Sequence, residues 1–167
     1  MKIAKDIMLS DPDISTVLIV GGYRNGDFVN FKDSSVSFMY NLSAGAGALI
    51  LKRNYGRNLL LGTHIITDGS LARDVGVEFG GTANPITHDN VHEAYKSLRV
   101  FNEQHMKSRL NYVSMSNWMK CIDMAFKKSG VDRDKLGYLA GLHFKRSMYE
   151  SMVHELGLTM EQTIYLE

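Results

Sequence analysis

A chain of 167 residues, 44% hydrophobic and 22% charged, can bury a sizeable core and has the composition of an ordinary soluble globular protein. Its 19 basic and 18 acidic residues nearly cancel, which excludes a global field that would draw nucleic acid or an anionic membrane. The single cysteine, Cys121, excludes an internal disulfide framework and a Cys-rich zinc site.

Residues 2–9 read as the end of a helix, with Ile3, Ile7 and Met8 on one side and Asp11-Pro12 stopping it. The N-terminus carries an acid early, at Asp6, and has no apolar signal core. No apolar run approaches a membrane span, so the expected location is cytoplasmic. The sequon Asn41-Leu42-Ser43 then means little, because glycosylation needs a secreted chain.

Residues 16–20 form a continuous apolar, β-branched run closed by Gly21-Gly22, the pattern of a strand buried on both faces. Residues 44–52 predict a second buried strand, residues 54–58 a turn, and residues 59–66 a third strand ended by Asp68-Gly69. A helix followed by such strands predicts an α/β architecture. The short turn predicts an antiparallel pair within a mixed sheet.

Residues 70–90 are Gly-rich and irregular, long enough to be functional. From about residue 90 the pattern turns helical. Trp118, Cys121, Ile122, Ala125 and Phe126 make an apolar stripe, and Lys127-Lys128 with Gly130 supply a helix end. Residues 136–142 predict a strand with His143 at its end. A helix over residues 147–155 follows, with Met148, Tyr149, Met152, Val153 and Leu156 on its buried side.

The chain opens part-way through a helix and stops at Ile164-Tyr165-Leu166-Glu167, the start of another strand. It is therefore expected to be part of a longer protein.

Within its stripe Cys121 is expected to be a buried, inert thiol rather than a nucleophile. His88 and His92, four apart, lack the acidic partner of a zinc-protease motif, and no metal is expected. Gly45-Ala46-Gly47 lacks the third glycine of a dinucleotide fingerprint and lies in a strand.

Four stretches, in this order and spacing, together resemble the β-ketoacyl-[acyl carrier protein] synthase III (3-oxoacyl-ACP synthase III) family of the thiolase superfamily. They are Val17-Leu18-Ile19-Val20-Gly21-Gly22-Tyr23; Leu42-Ser43-Ala44-Gly45-Ala46-Gly47-Ala48-Leu49; Leu61-Gly62-Thr63-His64-Ile65-Ile66-Thr67-Asp68-Gly69-Ser70; and Leu139-Ala140-Gly141-Leu142-His143. The resemblance implies a partial thiolase-like α/β fold, with residues 1–57 ending the N-terminal half and residues 58–167 making most of the C-terminal half. It implies an acyltransferase that takes an acyl group from acyl-CoA onto a cysteine and condenses it with malonyl-acyl carrier protein. No cofactor is implied beyond acyl-CoA as substrate.

In the resemblance His143 is the catalytic histidine, the cysteine would lie upstream of Met1, and a later asparagine beyond Glu167. This chain by itself would then be inactive. Lys107, Arg109, Lys145 and Arg146 would border the coenzyme A tunnel and the carrier-protein rim, where basic side chains suit anionic partners. The strand resembling residues 16–21 would pair across the axis of a homodimer. Two positions depart from the family pattern: Arg146 replaces the usual Asn, and Ala44 stands where the family usually has Asp. The alternative is a non-catalytic paralogue acting as scaffold or partner subunit.

Overall fold

The structure, a computed structural model, describes residues 1–40, 43–95 and 98–165. Leu42 of the second stretch, Asn41 of the sequon and the last two residues of the expected terminal strand lie outside the described residues. The chain divides into two compact units. The first holds residues 1–57 and 68–108, the second residues 58–67 and 109–167.

In the first unit, helix α1 (Lys2–Ser10) buries Ala4 and Met8 and carries a Lys2–Asp6 ion pair on its outer side. Asp11 ends it by accepting the Asp13 N–H at 3.0 Å, a turn that Pro12 then fixes. The chain continues into strand β1 (Thr16–Tyr23), which pairs antiparallel with β2 (Gly45–Lys52) from Thr16↔Lys52 to Tyr23↔Gly45. Arg53 closes this ribbon by donating to the carbonyls of Asp11 and Ile14.

Both strands form where the sequence places them, but the expected burial on two faces fails. Val17, Ile19 and Leu51 are half-buried, while Leu18, Val20 and Ile50 are 63–68% exposed. Among the described residues the strands pair only with each other, and these outer side chains stay open to solvent.

The unit's core gathers on Val29, Val36 and Leu98, with Met39, Tyr40, Val75 and Val100 against them. Val75 and Val100 come from a second antiparallel ribbon, β3 (Val75–Val77) with β4 (Leu98–Val100). These short strands sit in the regions read as irregular and helical; three-residue elements leave too little periodicity to be seen.

Asp33 caps the 3-10 turn over Ser34–Met39, accepting both the Ser35 N–H and the Ser35 hydroxyl, at 3.0 and 2.7 Å. The hydroxyl bond first, then the backbone bond, holds its carboxyl below the ordinary value of 3.8. A lowered carboxyl contributes stability that is present above the unfolded-state value and is lost as pH falls through the folded one. Urea unfolding at pH 7 and pH 3 is expected to show Asp33→Ala weakening the protein at pH 7 and narrowing its difference from the parent at pH 3.

The second unit is built on two helices. Helix α3 (Glu103–Ser129) starts in the first unit and runs through the second, and α4 (Arg146–Glu155) lies within the second. Gly130, at φ +71°, ends α3 in the left-handed conformation that glycine adopts without strain. Tyr149, Met152, Val153 and Leu156 form the core, with Met115, Trp118, Met119 and Ile122 of α3 packed on it. Cys121 is half-buried rather than buried.

Residues 59–66 are not the third strand that was expected; they run as irregular chain. Gly62 presses against α3 closely enough that an added Cβ would lie 2.3 Å from the Ala125 carbonyl oxygen. Lys128 of α3 donates to the Thr63 carbonyl at 3.2 Å and meets His64 Nδ1 at 3.1 Å. An apolar cleft of about 380 Å³ opens beside this contact, lined by Leu59, Leu61, Ile122, Phe126, Leu136 and Leu156 among others.

Candidate active site

The candidate site forms where two chain segments run side by side in the second unit. The Leu139 N–H donates to the Gln162 carbonyl at 2.9 Å, and Leu139 pairs with Thr163 as an isolated parallel bridge. The Thr163 hydroxyl reaches back to the Leu139 carbonyl at 2.8 Å, and the Gln162 side-chain amide to the Gly137 carbonyl at 3.3 Å. The strand expected over residues 136–142 is reduced to this one bridge, Leu139 being the one residue of that run that keeps ladder geometry.

From that bridge one segment runs through Gly141 to His143, the other through Ile164 to Tyr165. Gly141 is required: a Cβ there would stand 2.9 Å from Cε2 of the fully buried Tyr149. His143 is exposed, with Nε2 3.0 Å from the Ile164 carbonyl oxygen. Its ring lies 5.3 Å from Tyr165 and, edge-on, 6.2 Å from Tyr149. Tyr165 is itself anchored, its hydroxyl donating to the Phe144 carbonyl at 2.9 Å.

The other residues singled out in the sequence fall in two places. Lys145 occupies the cap position of α4, and Arg146 opens the helix. The Arg146 guanidinium donates to Glu150 at 2.9 Å and lies 5.8 Å from the Tyr165 ring centre. His143 and Arg146 are therefore gathered around one tyrosine. Lys107 is in the first unit, ion-paired with Glu103 one turn earlier, and Arg109 is half-buried in the second.

His88 lies in a turn before the four-residue helix α2 (Val91–Ala94) and His92 within it, so the two share no helix face. Among the described residues, no group of three His, Cys, Asp or Glu could hold a metal ion. No described helix is long and apolar enough to cross a membrane.

Sequence reading missed Tyr149, Thr163 and Tyr165 as parts of the site. The helical period placed Tyr149 inside. A buried tyrosine hydroxyl demands a partner, but nothing in the sequence says that the partners are Thr163 and Ile164.

Solved structures that share this architecture include three 3-oxoacyl-[acyl-carrier-protein] synthases III. The 3-oxoacyl-[acyl-carrier-protein] synthase III from Aquifex aeolicus VF5 matches with a TM-score of 0.70 at 16% identity, over 97% of this chain and 46% of that one. The enzyme of the same name from Pseudomonas aeruginosa PAO1 matches at 0.71 and 16%, over 98% and 47%. A further 3-oxoacyl-(acyl-carrier-protein) synthase III matches at 0.72 and 16%, over 99% and 50%. The fold is thus thiolase-like, and this chain spans about half the length of these structures.

Residues 1–69 also match the family model of 3-oxoacyl-[acyl-carrier-protein (ACP)] synthase III, so the resemblance drawn from the four stretches of sequence is borne out as a partial one. His143 lies outside the span of that family match. No curated protein matches the chain.

Proposed function

We propose that the chain is part of a condensing enzyme of the 3-oxoacyl-[acyl carrier protein] synthase III type, with residues 1–57 from its N-terminal half and 58–167 from its C-terminal half. The observation that carries this reading is the exposed imidazole of His143, braced by the Ile164 carbonyl and the Tyr165 ring at the open end of the Leu139–Thr163 bridge.

In that reaction an upstream cysteine thiolate attacks the thioester carbonyl of acyl-CoA, and coenzyme A leaves as its thiol. The malonyl carboxylate of malonyl-acyl carrier protein then departs as CO₂. The electron pair of the broken C–C bond becomes a thioester enolate, whose carbon attacks the acyl-enzyme and releases the cysteine. His143 stabilises the enolate oxygen as charge develops there. Lys145 and Arg146, with Lys107 and Arg109, would grip phosphate groups of the two anionic substrates. The working form would be a cytoplasmic homodimer in which β1 pairs with its copy.

The test is His143→Ala in the full-length protein, with CO₂ release from malonyl thioester and acyl transfer to the cysteine measured separately. Decarboxylation is expected to fall by roughly two to three orders of magnitude, as when an oxyanion donor is removed, with acylation largely retained. Normal decarboxylation in the variant would sink the assignment. So would an open reading frame with no cysteine upstream of the region encoding this chain.

A further inference from the structure

Asp74 lies buried just before β3, in the first unit, and its backbone is tied down. The Phe101 N–H donates to its carbonyl at 2.7 Å and the Asn102 N–H at 3.3 Å. Its carboxylate Oδ2 stands 2.6 Å from His105 Nδ1. His105 is anchored as well. It sits in the first turn of α3, its N–H donates to the Asn102 side-chain oxygen at 3.1 Å, and the next residue, Met106, is buried.

A carboxylate only accepts hydrogen bonds, so the nitrogen that faces it carries the hydrogen. The neutral form of His105 is therefore the Nδ1–H tautomer, with the lone pair on Nε2. The Asp74 side chain is 8% exposed and the imidazole 45%, so the pair is closed at the acid and open at the ring. Among the described residues, His105 is the one histidine whose ring meets a carboxylate.

We propose that Asp74 and His105 make a covalent modification site, at which His105 Nε2 takes an activated acyl group presented from solvent. The Nε2 lone pair attacks the carbonyl carbon. The bond to the leaving thiolate or alkoxide breaks and takes its electron pair with it. The ring becomes an acylated imidazolium whose positive charge faces the Asp74 carboxylate. Its Nδ1 proton then passes to solvent and leaves a neutral N-acylimidazole. A nucleophile backed by a group that orients it and meets its developing charge is the arrangement that activates a side chain. The step draws on neither His143 nor an upstream cysteine.

The test uses diethyl pyrocarbonate, whose activated carbonyl places a carbethoxy group on imidazole nitrogen. The chain's six histidines are followed peptide by peptide by mass spectrometry. If access alone governs the reaction, His88 and His92, both exposed, react as fast as His105. His105 is instead expected to lead them by about tenfold or more, and Asp74→Asn to remove that lead, the usual effect of losing the partner behind a histidine. The amide is close in size to the carboxyl, and the backbone bonds to residue 74 do not use the side chain, so the loop should keep its place.

Nitrogen NMR of the parent protein, labelled with ¹⁵N at histidine, makes the second measurement and needs no Asp74 variant to fold. The His105 signals are assigned by their loss in His105→Gln. The expected pattern in the neutral ring is a pyrrole-type Nδ1 and a pyridine-type Nε2. His105 reacting no faster than His88 and His92, an unchanged rate in folded Asp74→Asn, or an Nε2–H tautomer overturns the proposal.

Discussion

Gly62→Ala is expected to lower the stability of the second unit by about 3 kcal/mol or more, at the upper end of what overpacking costs. An alanine Cβ would sit 2.3 Å from the Ala125 carbonyl oxygen and 2.9 Å from the Ser129 nitrogen. Both are backbone atoms of α3, so no side chain can rotate away. Either the helix shifts or residues 59–66 lift off it, taking Leu59 and Leu61 from the apolar cleft. Gly56→Ala is the informative control: nothing lies within 4 Å of its added Cβ, although φ is +80°. Its cost is backbone strain alone, of order 1 kcal/mol. Urea unfolding of the two variants separates contact from strain, and equal losses would mean that the segment does not rest on α3.

Tyr149→Ala should cost about 3–5 kcal/mol, the range for emptying an aromatic site in a core. The ring is fully buried, 5.6 Å from Phe144 and 5.1 Å from Tyr165, and Met152, Val153 and Leu156 share its cluster. Removal leaves a cavity beneath Gly141 and takes a hydroxyl partner from Thr163 and Ile164. Thermal unfolding followed by circular dichroism would show the loss. A change within about 0.5 kcal/mol, the scale of ordinary surface substitutions, would place the ring on the surface and remove the support it gives His143.

Helices were the legible part of this chain. The stripe from Trp118 to Phe126, ended by Gly130, marks the C-terminal part of α3, and the period over residues 147–155 marks α4 closely, because a face repeated over several turns leaves a long signal; the start of α3 at Glu103 was not marked. Apolar runs were read less well. Residues 16–20 and 44–52 report that a strand forms, not what covers it, and the exposed Leu18, Val20 and Ile50 carry the same letters that a buried strand would.

Residues 59–66 show the same limit from the other side. The run packs, but against a helix, and the one clue was a glycine inside it. At the site, the resemblance picked out His143, and its position after an apolar segment was visible. Its brace was not, because Thr163, Ile164 and Tyr165 lie about twenty residues further on and meet it only through the fold.

Trp118, the chain's single tryptophan, lies in the second unit with its ring 4.2 Å from Phe144. Indole emission therefore reports on one unit and is blind to the other, whereas far-ultraviolet ellipticity sums over both. If the two units come apart together, the optical transitions coincide; if they come apart separately, emission follows one step while ellipticity follows two. The molecule thus carries a native reporter of its own cooperativity, and no label has to be added to read it.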